Sequence, residues 1–418
     1  MAFDDVRLKG FSKTLKVNDA IQSAINAFKL FSVDNISLKN TLIQNKILRE
    51  DIYANRSIPP FNRSAVDGYA IKAEDTFSAS ESNPLLLKVV DKINIGEESK
   101  VALEKGCVIQ IPTGGVIPPR ADAVVMIEDT NKVSQGYIEV YSVLHPGKNV
   151  SKFGEDIKKD ELIYQSGYKL RSIDRGFLLS AGINNINVCQ TPSVAIIATG
   201  DELVEPWENI TPGKIPEINT TNLFDLCIDE GWNPTVCGIF KDEKNELQKI
   251  IIDSLNKYDV ILVNAGTSVG KKDYIPIILN EMGTILFHGV SMRPGSPIMC
   301  AKVQDKLIFG IPGFPTAAII SFRFIIVPII RSLMGMKNPF SSTTVRAVLS
   351  RNVGSKLGRI DYLRVKLSML ENGEYQAIPI QIGGSGILKN IVEAHGFIPV
   401  PESSEGLKEG DIVDVVLW

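Results

Sequence analysis

Apolar and polar positions change period several times along the chain, and each change marks a different kind of element. After Val17 the apolar residues fall at Ile21, Ala24, Ile25 and Phe28, which is helical spacing. Asn18 is placed to cap this helix, which the pattern ends near Phe31. Residues 51–75, with Pro59-Pro60 and Asp67-Gly68, read as a loop-rich stretch. Short β-like runs follow at Leu85–Val90, Cys107–Ile111, Ala123–Ile127 and Tyr137–Val143. Gly and Pro punctuate them, so a small β-rich domain is expected here. Helical spacing returns over Ser172–Ala181 and stops at Gly182.

From Ser193 onward strands and helices alternate. The strands are Ser193–Ala198, Thr235–Phe240, Asp259–Asn264, Thr284–Phe287 and Leu307–Ile311. The helices are Thr220–Asp229, Glu243–Leu255, Ile275–Met282 and Thr316–Leu333. Such alternation predicts a three-layer α/β domain. After a boundary at Gly335–Ser342 the pattern is strands again: Thr343–Leu349, Tyr362–Ser368, Tyr375–Ile380, Gly396–Pro399 and Ile412–Leu417. Turn residues separate them, which predicts a C-terminal β domain built as a small barrel.

Composition narrows the function classes. A length of 418 residues suggests about three domains. Lys+Arg is 45 and Asp+Glu is 48, a net charge of −3. That excludes a disordered chain and a broad basic footprint for nucleic acid. His145, His288 and His395 are isolated from one another, which argues against a His-rich zinc site. The five cysteines form no C-x-x-C and read as reduced, mostly buried thiols. Met1 to Lys16 lacks an apolar signal core, so a cytoplasmic protein is expected. The apolar stretch Ala317 to Ile330 carries Arg323 and Pro328 and is too short to span a membrane.

In an open α/β sheet, ligands bind beyond the carboxyl ends of the strands. Three loops qualify: Thr199-Gly200-Asp201-Glu202, residues 265–273, and Pro312-Gly313-Phe314-Pro315-Thr316. Glycines let backbone N–H groups approach a ligand, and helix N-termini favour anions. Together they read as a phosphate or oxyanion cradle. Neither a Walker A motif nor G-x-G-x-x-G occurs, so a kinase or dinucleotide dehydrogenase is poorly supported. Asp201, Glu202, Asp242 and Asp273 recur beside these loops, and carboxylates without His or Cys suit a hard cation such as Mg²⁺. Asp201 and Asp242 also fit the commoner role of helix caps. Arg293, held in a Pro-Gly turn, is placed to clamp a phosphate or to stand as a solvated charge. Asp67 and Thr113 occupy tight turns in the β-rich region.

In order along the chain stand Ser64-Ala65-Val66-Asp67-Gly68-Tyr69-Ala70, Pro112-Thr113-Gly114-Gly115, Gly154-Glu155-Asp156-Ile157 and Thr199-Gly200-Asp201-Glu202-Leu203. Gly266-Thr267-Ser268-Val269-Gly270 with Asp273, Pro294-Gly295, Pro312-Gly313-Phe314-Pro315 and Gly383-Gly384-Ser385-Gly386 follow. This ordered set resembles the molybdopterin molybdotransferases, the MoeA and gephyrin E-domain family of molybdenum-insertion enzymes. The resemblance runs over nearly the whole chain. It implies a multidomain α/β plus β protein. Residues 1–50 and 146–190 would form a discontinuous dimerisation domain, and 51–145 an inserted β-rich domain. Residues 191–336 would be the molybdopterin-binding α/β domain and 337–418 a C-terminal β-barrel. The cleft would lie between the α/β domain of one subunit and the second and fourth domains of a homodimeric partner.

The implied reaction inserts molybdate into the dithiolene of adenylylated molybdopterin, releasing AMP, with Mg²⁺ as the cation. The molybdopterin adenylyltransferase is a further implied partner; nucleic acid and membrane are not. By resemblance, catalytic roles fall on Asp67, Thr113, Asp156, Glu202, Asp242 and Asp273, of which Glu202, Asp242 and Asp273 would hold the metal. The substrate would meet Thr199, Gly200, Gly266, Thr267, Ser268, Arg293, Pro312, Gly313, Pro315, Arg364 and Ser385. The chain departs from the family pattern at Lys271-Lys272, Phe314, Ser296 and Glu217. A scaffold that binds receptor peptides, an adenylyl-transferring enzyme and a tungstate-preferring paralogue are the alternative readings.

Overall fold

In a computed structural model the described residues are 14–134, 136–208, 210–265, 274–380 and 388–418. The α/β region is a six-stranded sheet. Its order is Asn233–Phe240, Ser193–Thr199, Val260–Ala265, Lys306–Pro312, Met299–Val303 and Thr284–His288. The first four strands are parallel. The last two run antiparallel to their neighbours.

Alternate residues of the central strands enter opposite cores. Ala195, Ile197, Ile261 and Val263 pack with Leu247, Ile251, Ile278 and Leu279 of the helices Lys244–Leu255 and Ile275–Met282. Val194, Ile196, Leu262 and Phe309 pack with Leu223 and Cys227 of Asn219–Asp229 and with Ile326 and Ile330. Both faces are covered, which explains why these strands are apolar without alternation. The three-layer expectation holds. The chain leaves Ser193–Thr199 for neighbours on either side of it, so the topological switch point lies at Thr199.

The long apolar segment runs helically from Pro315 to Leu333. It is α-helical at Pro315–Ser321 and Val327–Leu333, with a π-helical turn at Phe322–Ile326 between them. Its 19 residues are long and apolar enough to cross a membrane by length and composition, but 78% of that window is buried inside the protein. It is therefore a core helix. The π-turn meets the C-terminal domain. Phe324 stacks on Tyr362 with centroids 4.1 Å apart and meets Phe397 edge-on at 5.7 Å. Arg323 donates to the Leu417 carbonyl and lies 5.6 Å over the Trp418 ring.

The C-terminal strands Ile360–Met369, Tyr375–Pro379, Thr344–Leu349, Ile412–Leu417 and Gly396–Val400 pair in that order. Pairing of Gly396–Val400 back onto Ile360–Met369 closes the five-stranded barrel. Met292–Arg293 of the α/β region adds in parallel to Ile360 and Asp361.

A second six-stranded sheet occupies residues 68–140, with Gly68–Ile71 between Ala123–Met126 and Cys107–Ile111. Outside it, Leu38, Ile43, Leu48 and Ile52 share one core with Leu170, Leu178, Ile186 and Val188. Val33–Ser37 pairs antiparallel with Asn185–Cys189. Segments on either side of the 68–140 sheet thus pack together.

Several local expectations are corrected. The first helix is Val17–Ala27, flanked by Lys16, so Asn18 lies inside the first turn and is not the cap. It stops at Ala27, short of Phe31, because the chain turns extended at Phe28. The loop-rich stretch 51–75 contains Gly68–Ile71, whose residues are all buried. The strands Val33–Ser37, Thr130–Ser134 and Met299–Val303 carry weak patterns and escape the period-two reading.

Gly68 sits where backbone approaches backbone: a Cβ there would lie 1.9 Å from the Val125 carbonyl oxygen. Gly68→Ala is therefore expected to destabilise the protein by about 2 kcal/mol or more in urea unfolding, since the strand cannot yield without breaking its ladder. An unchanged midpoint would contradict the close packing.

Candidate functional site

A cavity of about 1170 Å³ opens at the switch point. The ends of three adjacent parallel strands supply its floor, through Thr199, Asn264 and Pro312-Gly313. Glu202 and residues 215–219 form one wall, residues 291–297 another, and Lys356, Gly358, Arg359 and Arg364 of the barrel a third. The excursion 200–217 is pinned to itself: Ile215 donates its backbone N–H to Glu202 and Glu217 donates to Val204, at 3.0 and 2.8 Å.

Thr199 is buried and donates through Oγ1 to Asp242 Oδ1 at 2.5 Å. The helix Lys244–Leu255 is flanked by Glu243, so Asp242 is not its capping residue. Its carboxylate is instead held beneath the first loop. Gly200 leaves room for Glu202: a Cβ on Gly200 would lie 3.0 Å from Glu202 Oε2.

Glu217 is only 4% exposed. Its Oε1 accepts from the backbone N–H groups of Asn219 and Thr220 at 2.8 and 3.1 Å. The carboxylate therefore satisfies the open N-terminus of the helix Asn219–Asp229, where a negative charge is favoured. Asn219 Nδ2 donates to the Gly313 carbonyl at 2.7 Å, tying the wall formed by residues 215–219 to the third loop. Asn219 Oδ1 and Asn264 Oδ1 are buried without a hydrogen-bond partner, and both residues line the cavity. Buried acceptors in that state await a donor or a cation.

The barrel wall has the opposite character. Arg364 is 6% exposed, its Nε has no partner, and no carboxylate among the described residues pairs with it. Burial, and then the nearby Arg293 charge, hold its pKa below the usual guanidinium range. Two like charges converging on one cavity would suit an anion. Arg293 is exposed and lies on the strand that joins the α/β domain to the barrel. Gly295 (φ 100°) follows it, and a Cβ there would lie 2.5 Å from Ser321 Oγ. That turn packs directly on the core helix.

The structure thus gathers Thr199, Glu202, Arg293, Pro312, Gly313, Pro315 and Arg364 in one cavity, with Gly200 and Asp242 bonded beside it. Asp67, Thr113 and Asp156 do not line it. The first two meet elsewhere, where the Thr113 backbone N–H donates to Asp67 Oδ1 at 2.8 Å, and all three side chains are exposed. The wall expected from a partner's fourth domain is supplied by the chain's own barrel, because Met292–Arg293 is hydrogen-bonded into it. Gly266, Thr267, Ser268, Asp273, Ser385, Lys271 and Lys272 lie outside the described residues. No group of three or more His, Cys, Asp or Glu side chains that would hold a metal occurs among the described residues.

Sequence reasoning missed Asn219, Asn264, Lys356 and Arg359, and weighed Glu217 only as a departure. Two signals were readable. Asn264 is a polar residue ending a buried apolar strand, and Lys356 and Arg359 flank Leu357-Gly358 in a basic turn.

Residues 15–182 match the MoeA N-terminal region (domain I and II), and 346–418 match the MoeA C-terminal region (domain IV). Residues 195–332 match the model described as "Probable molybdopterin binding domain". The molybdopterin molybdenumtransferase of Bacillus subtilis is 31% identical over 407 residues, covering 96% of this chain and 94% of that protein. A Methanocaldococcus jannaschii protein named for molybdopterin biosynthesis is 37% identical over 383 residues, with 89% of each chain covered. A crystal structure of a molybdopterin biosynthesis MoeA protein from Pyrococcus horikoshii superposes with a TM-score of 0.74 at 30% identity, over 97% of this chain and all of that one.

Because Arg364 is buried with no carboxylate partner among the described residues, Arg364→Leu is expected to raise stability by about 1 kcal/mol while weakening binding of inorganic phosphate about tenfold. Thermal unfolding and calorimetric titration check the two effects. A loss of stability with unchanged phosphate affinity would contradict the anion-site assignment.

Proposed function

The chain belongs to the MoeA family, the molybdopterin molybdenumtransferases of molybdenum cofactor biosynthesis, and on that premise we propose that it inserts molybdate into adenylylated molybdopterin and releases AMP. One observation carries this reading: the switch-point cavity sets a cationic barrel wall opposite an acidic, acceptor-rich α/β wall. Molybdate and the substrate phosphates are anions, and Arg293 and Arg364 suit them.

A hard cation fits the other wall. Glu202 and the unpartnered Asn219 and Asn264 carbonyl oxygens are hard donors, too few for a closed protein cage. Mg²⁺ is commonly held by one or two carboxylates completed by substrate phosphates and water. Glu202, with Asp242 and Asp273, would hold it, and the ion would screen the phosphoanhydride charge. Thr199 holds the Asp242 carboxylate in place.

Asp67, Thr113 and Asp156 have a role in this reading only across a dimer, entering the cavity of a second copy. The division into 1–50 with 146–190, 51–145, 191–336 and 337–418, the homodimer and the cytoplasmic setting belong to the same proposal, as does the adenylyltransferase as donor of substrate.

Incubation with adenylylated molybdopterin, molybdate and Mg²⁺ should release AMP only when molybdate is present. Glu202→Gln should lower that rate at least about tenfold with the fold intact. ATP consumption with free molybdopterin would favour adenylyl transfer instead, and absence of both turnovers would favour a scaffold.

A further inference from the structure

Phe314 is the one aromatic side chain among the described residues of the cavity wall. It is 62% exposed. No ring of a described residue packs against it.

Its backbone is unusually well fixed. Pro315 follows, which holds Phe314 extended at φ −75°, ψ 129°. The Phe314 carbonyl accepts the Ala318 N–H at 2.9 Å, the first turn of the core helix. The Gly313 carbonyl is tied to Asn219 at 2.7 Å. A fixed backbone therefore holds a largely exposed aromatic side chain at the cavity wall. The same cavity holds the charges of Arg293 and Arg364. An aromatic side chain and cations together match a planar heterocycle with an anionic tail.

We propose that Phe314 is the stacking platform for the planar heterocycle of the substrate and a determinant of ring selectivity at this site. The proposal rests on the insertion reading, whose substrate carries two such rings, a pterin and an adenine. Stacking on an aromatic side chain changes affinity by between about fivefold and a hundredfold.

The test titrates the full-length wild type, Phe314→Tyr and Phe314→Leu with unsubstituted pterin and, separately, with AMP. Leu keeps the apolar bulk and removes the π-face; Tyr keeps the face. The exposure of Phe314 predicts unchanged unfolding temperatures for both variants. The expected result is a five- to hundredfold loss for one ring in Phe314→Leu, retained affinity in Phe314→Tyr, and little change for the other ring. Wild-type binding that Phe314→Leu leaves unchanged for both rings would overturn this inference alone. A wild type that binds neither ring would overturn it together with the insertion reading.

Discussion

The site depends on how the C-terminal barrel is docked onto the α/β domain. Two contacts set that docking. Met292–Arg293 is hydrogen-bonded alongside Ile360 and Asp361, which ties the α/β backbone to the barrel's longest strand. The π-turn of the core helix then places Phe324 on Tyr362 and Arg323 on the last strand and Trp418. A π-turn costs helical regularity and is usually retained for a reason. Here it carries side chains to the barrel that an uninterrupted α-helix would distribute differently.

That docking has an electrostatic consequence. It buries Arg364 beside Arg293, a like-charge arrangement that is unfavourable without a ligand. The facing wall carries its own cost in two buried carbonyl oxygens without donors. Proteins tolerate such features where a ligand offsets them. A cationic wall opposite an acceptor-rich one would suit the proposed substrate, which carries phosphate together with a hard metal ion. The net charge of −3 conceals this separation.

Most of the architecture was legible in the sequence because it follows from periodicity. The strand–helix alternation from Ser193 and the apolar run from Thr316 gave the three layers, and the ordered motifs gave the family. The π-turn at Phe322–Ile326 was not legible, since its period differs from an α-helix by too little to stand out over five residues. Met299–Val303 was missed because Pro294-Gly295 and Pro297 precede it and obscure the run. Within the site, glycine loops and Glu202 were readable because loop chemistry is local. Asn219 was not, and at Asn264 only the polar end of an apolar strand was visible, because their significance lies in a cavity that only the sheet order creates. The barrel wall raised the same difficulty. Nothing local to Lys356 or Arg359 says that the chain's own α/β domain will face them.

The claim that one chain's α/β domain and barrel together build the anion site is tested most directly by anomalous scattering at the molybdenum edge from a crystal soaked in molybdate. A molybdenum peak is expected within hydrogen-bond reach of Arg293 and Arg364 of the same chain. A peak held by the barrel of a different chain, or one found only away from these two guanidinium groups, would contradict it.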